Sequence, residues 1–528
     1  MRQNARRKPG PGGSGTGGSG TGGSGTGAGP ASLDPSEPAG WEALRALGHR
    51  MVDDVIAFHA TIGEQPAWRA FPDASKQALS RPVPRDGIGA DAAYGEFLEH
   101  VLPYPFGNVH PRVWGWVNGT GSTLAAWADM LASAMNPNCW GGEHAASWVE
   151  AQVLDWMKEL LGFDAGSGLL VSGGSVANLI GIAATRDALG GGDVARTGVR
   201  ALPQALVLYA SEQVHNSVHK AAALLGVGLD GLRLIRTGDD FRIDLPALEQ
   251  AIAEDRAAGL RPFCVVGTAG SVNTGAIDEL NALADICARE SLWLHVDGAF
   301  GALAQLSPRL RPLVDGMARA DSIAFDLHKW LYLPIEVGCI LVRDAAAHRR
   351  PFSPPASYLA HFDRGLASGP HIYSTLGPQL TRGFRALKVW LSLQAHGTEM
   401  YARLIERNVD QAQYLAERIR GCDELELAAP VPLNVVCFRY VGEVRGDRGA
   451  PDLPGEQSAA RLDALNRELL LSLQESGVAV PSSTMNRGNF VLRVALTNHR
   501  TRTDDLDALL DAVLDLGRRL SAERSLAP

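Results

Sequence analysis

Short apolar segments alternate with helix-like segments through the middle of the chain, and this alternation limits the possible folds more than any other feature. Apolar runs at 168–172, 205–211 and 263–270 are each followed by a stretch with helical periodicity. The helical stretch at 244–259 begins with Asp244, a residue type that caps helix N-termini. Repeated strand–helix units predict an α/β fold with a mainly parallel sheet covered by helices.

The length of 528 residues predicts more than one domain. Residues 1–33 contain the sequence GGSGT three times and predict a flexible tail, either natural or added as a linker. We expect a helical N-terminal segment at 34–110, a large domain with the sheet at 111–400, and a smaller α+β domain at 401–528.

Composition and charge exclude several classes of protein. The formal net charge is -9, and the six cysteines are scattered without a CxxC pair. These features argue against a nucleic-acid-binding surface, a disulfide framework and a zinc site. The sequence has no apolar stretch long enough to span a membrane and no apolar core of a secretory signal, so we expect a cytoplasmic protein.

The carboxyl ends of the predicted strands carry residues suited to ligand binding, because ligands of open α/β sheets bind at that edge. Ser172 to Ser175, Thr268, Asp297 and Lys329 fall there. The turn SGGSVAN (172–178) enters a helix, whose N-terminal N–H groups favour an anion such as phosphate. It lacks a P-loop lysine and a full GxGxxG pattern, so a nucleotide is not favoured, and a tight structural turn is the alternative.

Three further positions have both a chemical and a structural interpretation. Lys329 ends an apolar run, and burial makes a lysine a better nucleophile toward carbonyls, whereas most lysines lie at the surface. Asp297 either pairs with a protonated ring nitrogen or caps a turn, and His215 either stacks on a flat ligand or has a structural role. Together with the phosphate-binding turn, these residues meet the needs of pyridoxal 5'-phosphate (PLP), which acts as an electron sink.

Five stretches of sequence carry a resemblance to a known family. They are HNSVHKA (215–221), TAGSVNTGAID (268–278), HVDGAFGA (295–302), DSIAFDLHKW (321–330) and FRALKVW (384–390). In this order they resemble the group II PLP-dependent decarboxylases, whose fold is of the aspartate-aminotransferase type (PLP fold type I). The resemblance covers roughly residues 40–515.

The resemblance implies how the cofactor is held. Lys329 would bond to its aldehyde, Asp297 would pair with the pyridine nitrogen, and His215 would stack on the ring. Thr268 and Ala299 would line the other side of the ring or support Asp297. The residues that would hold the phosphate are Gly174, Ser175 and His328.

The resemblance also implies how the reaction is completed. The family places a tyrosine shortly before the FRALK segment, and HIYSTLGPQLTRGFRALK (371–388) puts Tyr373 there. This tyrosine protonates the substrate carbon after carbon dioxide leaves, and relatives with phenylalanine there tend to form aldehydes. Tyr373 and His215, which act with Lys329, therefore favour plain decarboxylation. The segment 351–377 is rich in Pro, Gly and Ser and suits a lid that reaches a neighbouring subunit, so a homodimer is implied.

Two departures from the family pattern affect what can be inferred. Gly383 replaces the second of two arginines, and the loop WVNGTGST (116–123) differs from that of aromatic amino-acid decarboxylases. Trp114 and Trp116 either line a substrate pocket or pack within their loop. We expect decarboxylation of an aromatic L-amino acid, with an acidic or diamino substrate, transamination or aldehyde-forming oxidative deamination as alternatives. The retained Lys329 argues against a non-enzymatic homologue.

Overall fold

The computed structural model describes residues 32–163, 166–353, 362–442 and 455–525. The predicted tail lies outside these ranges up to residue 31, and so do residues 354–361 of the predicted lid. The described residues divide into two compact units, one up to residue 55 and one from residue 56 onward. The first unit contains the greater part of helix α1 (Pro38–Thr61).

The second unit is built around a seven-stranded sheet. Its strand order is β1-β7-β6-β5-β4-β2-β3; β7 runs antiparallel to β1 and β6, and the other neighbouring pairs are parallel. The strands are β1 (Ser167–Val171), β2 (Leu206–Ser211), β3 (Leu232–Ile235), β4 (Arg261–Thr268), β5 (Trp293–Asp297), β6 (Ser322–Asp326) and β7 (Gly338–Val342). The predicted α/β fold with a mainly parallel sheet is confirmed.

Helices precede the sheet and connect its strands. They are α2 (Asp73–Ala78), α3 (Ala90–His100), α4 (Thr123–Met135), α5 (Ala145–Leu161), α6 (Gly174–Leu189), α7 (Val194–Thr197), α8 (Asn216–Leu224), α9 (Leu245–Ala257), α10 (Leu280–Glu290), α11 (Leu327–Trp330) and α12 (Ala345–Arg349). Within the described ranges, none of the helices combines the length and the hydropathy needed to span a bilayer.

The local sequence explains these elements. Every residue of β2, β5, β6 and β7 is buried. Strands covered on both faces consist of nearly continuous apolar residues, as these do. Asp244 caps α9 as predicted, because its side chain accepts a hydrogen bond from the Ala247 N–H.

The C-terminal part forms a second, antiparallel sheet. Helix α13 (Ala386–Arg420) leads into it and is interrupted at Gly397, whose φ is 67°. The remaining elements are β8 (Leu425–Leu427), β9 (Val435–Tyr440), α14 (Gly455–Glu475), β10 (Ser482–Asn486), β11 (Asn489–Ala495) and α15 (Thr503–Ser525). The sheet has the order β10-β11-β9-β8, and its apolar residues join those of α13 to α15 in a core of their own. The boundaries near residues 110 and 400 stay predictions.

Candidate active site

A cavity of about 530 Å³ lies where β4, β5 and β6 end. The last residues of these strands, Thr268, Asp297 and Asp326, all line it. Eight of the nine residues predicted from the sequence line this cavity: Gly174, Ser175, His215, Thr268, Asp297, Ala299, His328 and Lys329. Residues from distant parts of the chain therefore meet at the carboxyl ends of the strands, where ligands of open α/β sheets bind.

The start of helix α6 forms one wall of the cavity. β1 ends at Val171, and the helix begins at Gly174; the N–H groups of Val176 and Ala177 donate to the Gly173 carbonyl, whereas those of Gly174 and Ser175 precede the hydrogen bonds of the helix. A Cβ atom at Gly174 would lie 3.1 Å from Asp326 Oδ2 and 3.5 Å from Ala299 Cβ. Glycine is thus the residue that lets β6 and the loop after β5 approach this helix end, where an anion binds favourably.

Asp297 and His215 are both held by hydrogen bonds. Asp297 is buried, and its carboxylate accepts from Asn178 Nδ2 at 2.9 Å and from the Ala299 N–H at 3.1 Å. The His215 Nδ1 caps α8, lying 3.2 Å from Ser217 N and 2.8 Å from Ser217 Oγ. Burial lowers the pKa of His215 and favours the neutral ring.

Lys329 projects from the short helix α11 toward the end of β6. Its Nζ lies 3.0 Å from Asp326 Oδ2, and its side chain is 17% exposed. His328 Nδ1 lies 2.9 Å from the Val337 carbonyl oxygen, and burial lowers the pKa of His328. The amine is therefore confined beside a buried carboxylate while it remains accessible from the cavity.

Asp326 and Asn178 were not singled out by the sequence interpretation. Asp326 ends a buried strand three residues before Lys329, which is a signal that the sequence does contain. Asn178 is the last residue of the SGGSVAN turn, but its contact with Asp297 spans 119 positions of the chain. Only the three-dimensional arrangement identifies that contact.

Tyr373 does not line the cavity of its own chain. Its side chain is buried, its hydroxyl donates to the Ser147 carbonyl at 3.1 Å, and the Arg382 guanidinium lies 5.2 Å from its ring centroid. The sequence interpretation places this tyrosine in the site of a second subunit, so its catalytic role stays a prediction.

The two tryptophans of the N-terminal loop have different locations. Trp114 is buried within the C-terminal core, and its Nε1 donates to Thr501 Oγ1 at 3.0 Å. Of the two interpretations left open for Trp114, pocket lining does not hold, because its indole packs in the core of the second sheet. Trp116 does line the cavity, and 51% of its surface is exposed.

Comparisons with known proteins agree with this arrangement. Residues 94–441 match the family model described as the pyridoxal-dependent decarboxylase conserved domain. The aromatic-L-amino-acid decarboxylase of Bacillus atrophaeus is 32% identical over 489 residues, which cover 91% of this chain and 96% of the relative. The cysteine sulfinic acid decarboxylase of Homo sapiens is 30% identical over 496 residues, with coverage of 92% and 98%. A solved structure of Oryza sativa TDC with PLP and tryptamine superposes with a TM-score of 0.82 at 27% identity, and covers 92% of this chain and 100% of that one.

The chain belongs to the pyridoxal-dependent decarboxylase family. It is a PLP-dependent amino-acid carboxy-lyase with PLP fold type I, as the sequence interpretation expected. The relatives are named for different substrates, and the family therefore leaves the choice of amino acid open.

The cavity of this decarboxylase fits PLP. Thr268 Oγ1 is buried and has no hydrogen-bond partner among the described residues, so it is free to contact a ligand. The helix end at Gly174 suits a phosphate, and the buried Asp297 carboxylate suits a protonated ring nitrogen. Within the described ranges, His, Cys, Asp and Glu form no cluster suited to a metal ion.

Proposed function

We propose that this decarboxylase converts an aromatic L-amino acid to the corresponding amine and carbon dioxide. The observation that carries the proposal is the composition of the outer cavity wall. Trp116 and Ile335, which are 51% and 61% exposed, line the cavity, and Val117 and Val272 are further apolar lining residues. None of the described cavity-lining residues is an arginine, so the wall offers an acidic substrate side chain no guanidinium.

The roles assigned to the cavity residues follow their positions. The Lys329 amine would bond to the cofactor aldehyde and be displaced by the substrate amine. Asp297 would keep the ring nitrogen protonated, and His215 would stack on the ring. Bound PLP withdraws electrons from the substrate Cα, which allows the carboxylate to leave as carbon dioxide. The phosphate would be held at the α6 end by Gly174, Ser175 and His328, while Thr268 and Ala299 line the ring.

A tyrosine of the segment 351–377 would return a proton to the substrate Cα. Tyr373 is the residue predicted from the sequence. The same segment contains a second tyrosine, Tyr358, which lies outside the described residues. Substitution of each in turn separates the two candidates.

A homodimer is part of the proposal. Helix α4 exposes three large apolar side chains, and together we call them the α4 patch: Met130, Leu131 and Met135. Trp148 on α5 is also 48% exposed and makes an edge contact with His371, two residues before Tyr373. Exposed apolar clusters of this kind mark protein–protein contact surfaces, and a second copy of the chain would cover this one.

A diamino acid is the second candidate substrate, because Glu336 also lines the cavity and is partly exposed. Its carboxylate is already paired with Arg385 Nη2 at 2.7 Å, which weakens its attraction for a cationic substrate. The aromatic proposal therefore accounts better for the wall as a whole.

Carbon dioxide release from a panel of L-amino acids tests the proposal. We expect the fastest release from an aromatic substrate, with amine rather than keto acid or hydrogen peroxide as the product. Trp116→Ala should raise KM for that substrate by about tenfold, the effect of losing about 1.4 kcal/mol of contact. Trp68→Ala is the matched control, because Trp68 is an exposed tryptophan that does not line the cavity. Fastest release from an acidic or diamino acid, unaffected by Trp116→Ala, would contradict the proposal.

A further inference from the structure

A chain of hydrogen-bonded, buried side chains runs behind the cavity wall. It begins on β5 and β6, where Trp293 Nε1 and His295 Nδ1 each lie 2.8 Å from Ser322 Oγ. It continues to helix α6, where His295 Nε2 lies 2.9 Å from Asn178 Oδ1. Asn178 Nδ2 then reaches two cavity-side groups, Asp297 Oδ2 at 2.9 Å and Ser217 Oγ at 2.8 Å.

The carboxylate of Asp297 determines which group donates and which accepts in each of these hydrogen bonds. An ionised carboxylate only accepts hydrogen bonds, so the amide nitrogen of Asn178 must face Asp297 and the amide oxygen must face His295. His295 Nε2 therefore carries a proton and donates it. Burial lowers the pKa of His295 to about 3, so the ring is neutral and its Nδ1 accepts from Ser322. Ser322 in turn accepts from the Trp293 indole N–H, and every donor at this end has an acceptor.

The same assignment of donors and acceptors extends through Ser217 to His215. The two N–H bonds of the Asn178 amide are used by Asp297 and Ser217, so the Ser217 hydroxyl accepts one and has its own proton free to donate. The Ser217 backbone N–H can only donate, and it lies 3.2 Å from His215 Nδ1, so this nitrogen is an acceptor; the Ser217 hydroxyl, 2.8 Å away, shares the same lone pair. A neutral His215 must then carry its proton on Nε2, the ring nitrogen left to face a ligand in the cavity.

The backbone of helix α6 makes room for this arrangement. A Cβ atom at Gly181 would lie 2.5 Å from His295 Cε1 and 2.7 Å from its Nδ1. Glycine is unfavourable within a helix, so its presence one turn after Asn178 fits a need to seat the imidazole against the helix.

We propose that Asn178 is a positioning residue that joins Asp297 to His215 and fixes His215 as an Nε2–H donor toward the cavity. Its one amide group orients the Asp297 carboxylate and determines which ring nitrogen of His215 carries the proton. This role rests on the proposed functions of Asp297 and His215 in cofactor binding. It also gives the cavity a defined donor for an anionic or carbonyl oxygen of the ligand.

Nitrogen-15 NMR of the full-length, cofactor-free protein with ¹⁵N-labelled histidine rings tests the proposal without substrate turnover. His215→Gln and His295→Gln assign the two rings. We expect both rings to be neutral and protonated at Nε2. Asn178→Ala should shift the ring signals of both histidines. It removes the hydrogen-bond acceptor of His295 and the donor to Ser217, which contacts His215. Asn466→Ala is the control, since Asn466 is a buried, hydrogen-bonded asparagine of the C-terminal core, and it should leave both rings unchanged.

Protonation of either ring at Nδ1, or an unchanged His215 signal in Asn178→Ala, would overturn the proposal. If Asn178→Ala does not fold, Ser217→Ala removes only one hydroxyl and should shift the His215 signal alone. We also expect Asn178→Ala to weaken PLP binding about tenfold or more, as loss of a hydrogen bond to a charged group does. A protein that binds PLP and shows these signals but releases no carbon dioxide from aromatic amino acids would refute the proposed substrate and leave the role of Asn178 intact.

Discussion

The contacts of Tyr373 bear on which residue returns the proton to the substrate. Its hydroxyl is bonded to the Ser147 carbonyl, and burial raises the pKa of Tyr373 well above its usual value. A proton donor must come within hydrogen-bond reach of the reacting carbon, which Tyr373 does not do in its own chain. Its contacts are those of a residue that fixes the segment before α13 against α5. Tyr358 is the other tyrosine of the predicted lid.

We expect Tyr373→Phe to lower the free energy of unfolding by about 1 kcal/mol, the value of one hydrogen bond, with kcat changed only a few-fold. We expect Tyr358→Phe to lower amine formation by about a hundredfold or more, as removal of a general acid does. Urea unfolding and amine assays of the two variants measure both effects. A hundredfold loss of amine in Tyr373→Phe, with Tyr358→Phe unaffected, would instead support the assignment made from the sequence.

Single residues also show where sequence interpretation succeeds and fails. Lys329, Asp297 and Thr268 meet in one cavity because each lies at or just after the end of a strand in a parallel part of the sheet, a property that local pattern reveals. The partner of Trp114 lies 387 positions away at Thr501, and nothing in the loop around the tryptophan indicates it. The direction of a side chain in a loop depends on such distant packing.

At the scale of elements, a buried ion pair ties α5, β1 and the segment before α13 together. Arg382 Nη2 lies 2.5 Å from Glu150 Oε1, and both side chains are 1% exposed. The guanidinium also donates to the carbonyls of Cys139 and Leu170, at 2.7 and 2.6 Å. The arginine retained from the family pattern is thus structural. The neighbouring Gly383 is exposed, and a Cβ there would contact nothing within 4 Å.

We expect Arg382→Met to lower the free energy of unfolding by about 3–5 kcal/mol, because it leaves the Glu150 carboxylate buried without its partner. Gly383→Arg, which places a side chain in open space at the next position, should change it by no more than about 0.5 kcal/mol. Chemical denaturation of both variants measures the difference. Equal stability of Arg382→Met and the parent protein would show that the buried pair contributes little.

Elements also differ in how far the sequence specifies them. The buried strands were predicted because continuous apolar runs between helical stretches are distinctive. The antiparallel direction of β7, which lies between β1 and β6, was not predicted, since an apolar run has the same pattern in either direction. The helical stretch at 386–420 consists of two helices that meet at Gly397, whose φ of 67° and ψ of 160° are not helical.

At the scale of the whole molecule, the α4 patch and Trp148 leave apolar surface uncovered, and Trp148 contacts His371 in the segment that carries Tyr373. Burial of such surface is favourable by roughly 25 cal/mol per Å², so association of two chains through it would be stabilising. A tyrosine that acts in a neighbouring cavity also requires a second subunit. The proposed homodimer therefore links assembly to activity.

We expect sedimentation equilibrium to give twice the mass of the chain. The double substitution Leu131→Asp and Met135→Asp should shift the protein to monomer and abolish carbon dioxide release, because charges in the α4 patch oppose its burial. Met485→Asp is the control, since Met485 is similarly exposed on β10 of the second sheet, and it should remain dimeric and active. A monomeric parent protein with full activity would contradict the dimer proposal.

The proposed decarboxylation depends most on Lys329 as the residue that would bond to the cofactor. Carbon dioxide release by Lys329→Ala and by the parent protein, both supplied with PLP and the preferred amino acid, tests this directly. We expect the variant to lose activity by about a thousandfold or more, because Lys329 is the only lysine among the described residues that line the cavity. Release of carbon dioxide by Lys329→Ala at the parental rate would contradict the assignment.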